Sequence, residues 1–363
     1  NQSTIRYHSS TGIKMDSHDS QSQSGVSIKI TNNTISNNTH SSSDGGGIYL
    51  YGYGEVIVSG NTISDNIAGE GAGIASSAYS ATISDNTIEN NKSGMYGGPH
   101  NTFGLQGSGG GISMGVSQTI RNNIIKGNQA QHGGGIYTGG GTITGNTIIG
   151  NTAREKGGGF YASTGGSFSD NYVLSNTGGG IYIEGASSIT GNMIAGNTGG
   201  ALHNETRDQS VASVSSNTIF NNTGSPVVYI KSHGEYHQDP DAVRLEIKYN
   251  TIVGNSGSPT VSLGEGTDAN PHLFNYNNIY GNGGTYELES RNTLGTDNLN
   301  IENNYWGTSD ASVIATKVYD WNEDDSLGFV DYTPHETAIT VSNPISPPTG
   351  VSSQTGPTTM QLS

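Results

Sequence analysis

The sequence predicts an all-β chain, a parallel β-helix solenoid of about eleven coils closed by a C-terminal cap, and three observations predict it. An asparagine-centred phrase returns along the chain, with an apolar residue three places before the asparagine and usually another two places after it. A glycine-rich phrase ending in an apolar residue sits between successive copies. Helical periodicity is missing from both phrases, whereas alternation such as Ile181 and Ile183 to one side with Tyr182 to the other has the period of a strand.

The asparagine phrase is clearest as ITNNTISNN from Ile30, VSGNTISDN from Val58, ITGNTIIGN from Ile143, ITGNMIAGN from Ile189 and VSSNTIFNN from Val214. Its first asparagines are Asn33, Asn61, Asn86, Asn123, Asn146, Asn171, Asn192, Asn217, Asn250, Asn277 and Asn304, a mean period of about 27 residues. A second set follows five residues later, from Asn38 and Asn66 to Asn282. A unit this short cannot bury its own apolar face, but stacking copies in register joins their isoleucines into one core. Side-chain amides repeated at one place in every coil can then bond to the coils above and below and satisfy buried turn backbone. Both asparagine sets are therefore expected to be structural ladders.

The glycine phrase reads GGGIY at Gly45, GAGIA at Gly71, GGGIS at Gly109, GGGIY at Gly133, GGGFY at Gly157, GGGIY at Gly178 and GGALH at Gly199. Glycines at a corner allow positive φ or close approach of neighbouring coils. The apolar residues that follow, Ile48, Ile74, Ile112, Ile136, Phe160, Ile181 and Leu202, are expected to form one interior column.

Composition fits this architecture. Fifty-six glycines, 31% hydrophobic residues and a mean hydropathy of −0.47 would suggest disorder in an ordinary chain, but a solenoid needs only a thin inner column of apolar side chains. The predicted organisation is a β-helix over 1–308, a cap over 309–342, and a linker with the truncated start of another domain over 343–363. Trp306, Tyr319, Trp321, Phe329 and Tyr332 are expected to close the end of the core. Both ends read as cut, with more protein expected before Asn1. No apolar run approaches membrane-spanning length, so no membrane insertion of this region is expected.

A formal net charge of −16 with only 14 Lys and Arg argues against nucleic acid as a partner and weakens any strongly polyanionic substrate. The complete lack of cysteine excludes disulfides, thiol catalysis and cysteine metal sites. No organic cofactor is expected.

The I-x-x-N-x-I-x-x-N repeats with GGGI between them resemble the right-handed parallel β-helix proteins of the pectate-lyase-like superfamily, and NNYWGT at Asn303 resembles the cap of many secreted members. The short motifs are also similar to those of polymorphic outer-membrane proteins of chlamydiae, which favour phenylalanine where this chain has isoleucine. The resemblance spans roughly Ile28 to Pro334; it implies the right-handed fold and leaves activity open. PPTGVSSQTGPTTMQLS, from Pro347, resembles the first strands of a fibronectin type III domain and implies a secreted, multidomain parent whose other domains are partners of this one.

Function is sought where the chain departs from its repeat. The residue after each interior apolar one should face outward, which gives Tyr49, Ala75, Ser113, Tyr137, Tyr161, Tyr182, His203, Tyr229, Ser262 and Glu287. Tyr137, Tyr161, Tyr182 and Tyr229 are candidate sugar-binding residues, because flat rings one coil apart can stack against successive sugars. Rings that instead stack on each other would only brace neighbouring strands. Two inserted loops, HNETRDQS from His203 and KSHGEYHQDPDAVR from Lys231, gather His203, Glu205, Arg207, Asp208, His233, Glu235, Tyr236 and His237 as candidate catalytic residues. Carboxylates beside His or Tyr could supply acid and base for glycoside cleavage or epimerisation, although long loops also collect solvated charge. The column lacks the basic residue of the family's lyases and the aspartate cluster of its hydrolases, so no family catalytic residue is carried over. Without a helix, the spacing of His233 and His237 does not converge two imidazoles.

Asp320, Asn322 and Asp324, followed by Asp331, resemble the spacing of a calcium loop, with Asp325 in place of the usual turn glycine. A solvated acidic turn is the alternative. Two functions follow: an extracellular or cell-surface rod, adhesive, structural or contacting a polysaccharide or cell-surface glycan, or a lyase, epimerase or hydrolase acting on polysaccharide along the tyrosine column.

Overall fold

A computed structural model describes residues 3–17, 27–40, 44–96, 103–104, 107–185, 187–206, 212–232, 245–264, 273–291, 299–340, 351–353 and 360–362. The chain divides into two compact units, Asn1–Ser167 with Asn171–Tyr182, and Phe168–Asp170 with Ile183–Ser363.

In the first unit, three columns of apolar side chains from stacked parallel strands fill the core. Two residues beyond the ladder asparagine, Ile35, Ile63, Ile88, Ile125, Ile148 and Val173 stand opposite one another in consecutive coils. Three residues before it, Ile30, Val58, Ile83, Ile120 and Ile143 form the second column. The glycine phrase supplies the third, Ile48, Ile74, Ile112, Ile136 and Phe160. All are buried, as are Ile181 and Leu202. The same three columns recur in the second unit as Ile194, Ile219, Ile252 and Ile279, as Ile189, Val214, Ile247 and Phe274, and as Leu202, Val228, Val261, Leu288 and Val318.

Each ladder asparagine sits just after a residue in the left-handed region, such as Asn32 at φ 59°, Gly60 at 67° and Asp85 at 59°. That conformation explains why glycine, asparagine, aspartate and serine dominate the position. Tyr249 and Tyr276 occupy it in the second unit, both at φ 59°, with their rings stacked 5.5 Å apart. The asparagine that follows satisfies the turn. Asn61 donates from its backbone N–H and from Nδ2 to Oδ1 of Asn86 at 2.9 and 3.0 Å, and Nδ2 of Asn86 donates back to the carbonyl of Val58 at 2.9 Å. The second ladder repeats the pattern from Asn66 to Asn91 and from Asn197 to Asn222.

The glycine phrase has two separate requirements. Gly133 lies at φ 60°, a backbone that side chains disfavour. Gly135 is in ordinary conformation, but a Cβ there would stand 2.6 Å from the Gly159 carbonyl of the next coil and 3.1 Å from Nδ2 of the ladder residue Asn151. The middle position tolerates alanine, buried at Ala72.

At the C-terminal end, Asp310 caps a single short helix, Ala311–Ala315, by accepting from the Ser312 N–H. Trp306, Ile314 and Val318 are buried there. Of the aromatic residues expected to close the core, Trp306 alone is fully buried. Trp321 and Phe329 are exposed and pack on each other, 4.6 Å between centroids, while Tyr319 packs edge-on against Tyr286. Further on, Val351–Ser353 pairs antiparallel with Met360–Leu362. Among the described residues no helix is long and apolar enough to cross a membrane.

Candidate functional site

The column after the interior apolar residue does face outward, because strand alternation turns Tyr137 away from the buried Ile136. Its rings, however, are turned onto one another. Tyr161 lies between Tyr137, at 5.2 Å and 8°, and Tyr182, at 5.4 Å and 11°. His132 leans over it at 5.6 Å, leaving Tyr161 only 8% exposed. The expectation of an exposed face at Tyr161 is corrected: both of its ring faces are spent on neighbouring rings. Lys156 places its ammonium 4.4 Å from the Tyr182 centroid, within cation–π range. The strands Gln129–His132 and Thr152–Lys156 thus lay their ends across the column.

In the second unit His203 stacks on Tyr229 at 4.5 Å, as their register requires. The column then runs through Ser262 to Glu289 and Tyr319. Glu287, expected in this position, is instead buried two residues earlier, and its carboxylate accepts from Asn282 Nδ2 at 2.7 Å.

Among the candidate catalytic residues, His203 and Glu205 project from the same face of the strand Leu202–Thr206, with Nε2 and Oε2 3.9 Å apart. Asn204 between them is buried and donates to the Gly185 carbonyl. Arg207, Asp208, His233, Glu235, Tyr236 and His237 lie outside the described residues.

The expected calcium residues do not converge. Asp320 is buried; its Oδ1 accepts from the N–H and Nδ2 of Asn322, and its Oδ2 from the Val330 N–H at 3.0 Å. Asp324 accepts from the N–H and hydroxyl of Ser326, hydrogen bonds that lower its pKa. Asp331 accepts from the Thr333 N–H. Asp324 and Asp331 fasten their own turns while Asp320 also ties Val330, ten residues on, and among the described residues no group of three or more acidic or histidine side chains is placed to hold a metal ion.

Acid–base potential lies elsewhere, at a place the repeat had hidden. Asp44 and Glu70 directly precede the glycine phrase in consecutive coils, where the Gly45 N–H donates to the Glu70 carbonyl. Burial raises the pKa of Asp44, opposed by His40, whose Nδ1 is 3.0 Å from the Thr11 hydroxyl. Burial and then the charge of Asp44 raise that of Glu70. Solvent at this exposed corner limits the size of the effect on Glu70. The sequence cue was an acid immediately before the glycines in two successive copies.

A sequence model of the family described as the right handed beta helix region matches residues 1–153. No curated protein and no solved structure matches the chain. The matched segment carries the asparagine and glycine phrases, and the same parallel columns are built in each unit. Each unit is built as a parallel β-helix repeat, and the segment 1–153 is similar to the right handed beta helix family.

Proposed function

We propose that this chain is a non-catalytic, rod-like module of a larger extracellular or cell-surface protein, in which it spaces other domains and contacts glycans along its flank. The observation that supports this reading is the investment of polar and aromatic side chains in coil-to-coil bonding. Asn123 and Asn128 bond directly to Asn146 and Asn151 of the next coil, and Tyr161 spends both faces on its neighbours. Such contacts resist sliding and bending of parallel strands, as a spacer requires. The secreted, multidomain context rests on the fibronectin-like resemblance from Pro347. The test is a panel of neutral and acidic polysaccharides incubated with the full chain. The expected result is attachment to a glycan with no new reducing ends and no unsaturated product.

A second reading, a polysaccharide-active enzyme, is favoured by the neighbouring carboxyl groups of Asp44 and Glu70, whose pKa values burial raises in the direction a general acid needs. Product formation that is lost in Glu70→Gln would establish it.

A further inference from the structure

In the first unit the strand Ile74–Ser84 runs unbroken through a corner where its neighbour in the next coil is split into Ile112–Met114 and Thr119–Arg121. Pairing stops at Met114 opposite Ser76 and resumes at Thr119 opposite Thr82. On the other side, Ser77, Ala78 and Ser80 keep their partners Tyr51, Gly52 and Glu55. The sheet therefore opens on one side only, and Gly115–Gln118 loops outward across the gap, with Ser117 at φ 63°. A recess of about 470 Å³ remains, within the range of roughly 300–1,000 Å³ usual for small-molecule sites.

Its lining has a definite chemistry. Tyr79 at the mouth is 74% exposed and Val116 59%, so an aromatic ring and an aliphatic group are presented to solvent. Ser77, Ser80 and Ser117 add hydroxyls, and the Tyr79 phenol is the only ionisable group in the lining. Gln118 is 3% exposed. Its Nε2 donates to the Ala78 carbonyl at 2.9 Å and reaches that of Ser76 at 3.5 Å, which substitutes for the missing strand and fixes the orientation of the amide. Among the described residues its Oε1, itself buried, has no hydrogen-bond partner.

We propose that this recess is a binding site for one neutral sugar ring of a glycan. The inference rests on the glycan-contacting part of the reading above and gives it a location. A pyranose offers an apolar face of C–H groups for Tyr79 and Val116, and hydroxyls around its edge for Ser77, Ser80 and Ser117. The uncharged lining selects against uronates, sialic acids and phosphates, which need a cation, and the net charge of −16 adds to that selection. An extended peptide pairing with Ser77–Ala81 is disfavoured, because the Gly115–Gln118 loop already lies across the gap.

The test presents the full chain to immobilised neutral oligosaccharides of hexose and N-acetylhexosamine and to uronate-containing and sialylated ones, then titrates the strongest binder. Tyr79→Ala is expected to weaken neutral-glycan binding roughly tenfold or more with an unchanged melting temperature, because the ring is exposed and makes stacking contact only with ligand. Ser117→Gly, which suits the positive φ and removes a hydroxyl, should weaken it by a smaller factor. Neutral-glycan binding that is indifferent to both substitutions would overturn the recess while leaving the glycan-contacting module intact. Binding of acidic glycans alone would overturn it, as would capture of extended peptides at Tyr79 with no sugar bound. Failure of every glycan to bind would sink this site and the glycan-contacting reading together.

Discussion

Nδ2 of Asn123 donates to Oδ1 of Asn146 in the next coil at 3.0 Å, and the same oxygen accepts the Asn123 backbone N–H at 2.9 Å. Asn146 in turn donates to the carbonyls of Ile120 and Thr144. One buried side chain thus satisfies groups in two coils. Asn146→Ala should destabilise the first unit by about 3 kcal/mol or more, since it strands several buried donors and acceptors at once. Chemical denaturation would measure this; a change below about 1 kcal/mol would mean that backbone pairing alone holds the coils.

These ladders were legible in the sequence because the spacing of an asparagine within its coil does not depend on what the loops do. The interior columns of Ile48, Ile74, Ile112 and Ile136 were legible for the same reason. The outward column was harder to read. Near its end the glycine phrase gives way to GGTYELES, and counting from it selected Glu287 where the register selects Glu289. The burial of Tyr161 under His132 was hidden, since that contact joins different strands of different coils and no repeat spacing encodes it. The recess beside Tyr79 had a weak cue: four residues, Gly115–Gln118, separate strands that only Gly139 and Gly140 separate in the next coil. The catalytic loops remain expectations because most of their residues lie outside the described structure.

Gly135 tests the close approach of coils without involving positive φ. A methyl group there would meet the Gly159 carbonyl at 2.6 Å, and backbone cannot yield as a flexible side chain would. Gly135→Ala should cost roughly 2–4 kcal/mol, and Gly134→Ala a similar amount, since a Cβ there would meet the Thr152 and Gly158 carbonyls at 2.5 and 2.6 Å. A parental melting temperature in both variants would show that the coils can part at the corner.

Tyr161→Ala distinguishes bracing from sugar binding. The ring is sandwiched between Tyr137 and Tyr182 and almost fully buried, so its removal should cost about 2–4 kcal/mol of stability. Unchanged stability together with lost glycan affinity would return the column to the role of a sugar platform.

Chelation tests the acidic turn of the cap. Since Asp320, Asp324 and Asp331 are each engaged by hydrogen-bond donors within the cap, a chelator should leave the melting temperature unchanged. Asp320→Ala should lower it equally with and without calcium, because the loss is the bond to Val330. A stabilisation by calcium that disappears in this variant would restore the metal site.

The corner of Asp44 and Glu70 predicts a pH dependence of defined sign. Both carboxyl groups are raised in the folded chain, chiefly by burial, so the fold binds protons more tightly than the unfolded chain does. Their contribution is fully present below the ordinary carboxylate range and is lost as pH rises through the raised folded values. Asp44→Asn with Glu70→Gln removes that loss while keeping side-chain shape. The double variant should therefore melt slightly higher than the parent near neutral pH and converge with it below the ordinary carboxylate range, a modest shift because solvent screens Glu70. Melting curves across this range decide the matter. A variant less stable than its parent near neutrality would mean that the charged pair is held by favourable contacts, and the raised carboxyl groups would no longer support an acid role at this corner.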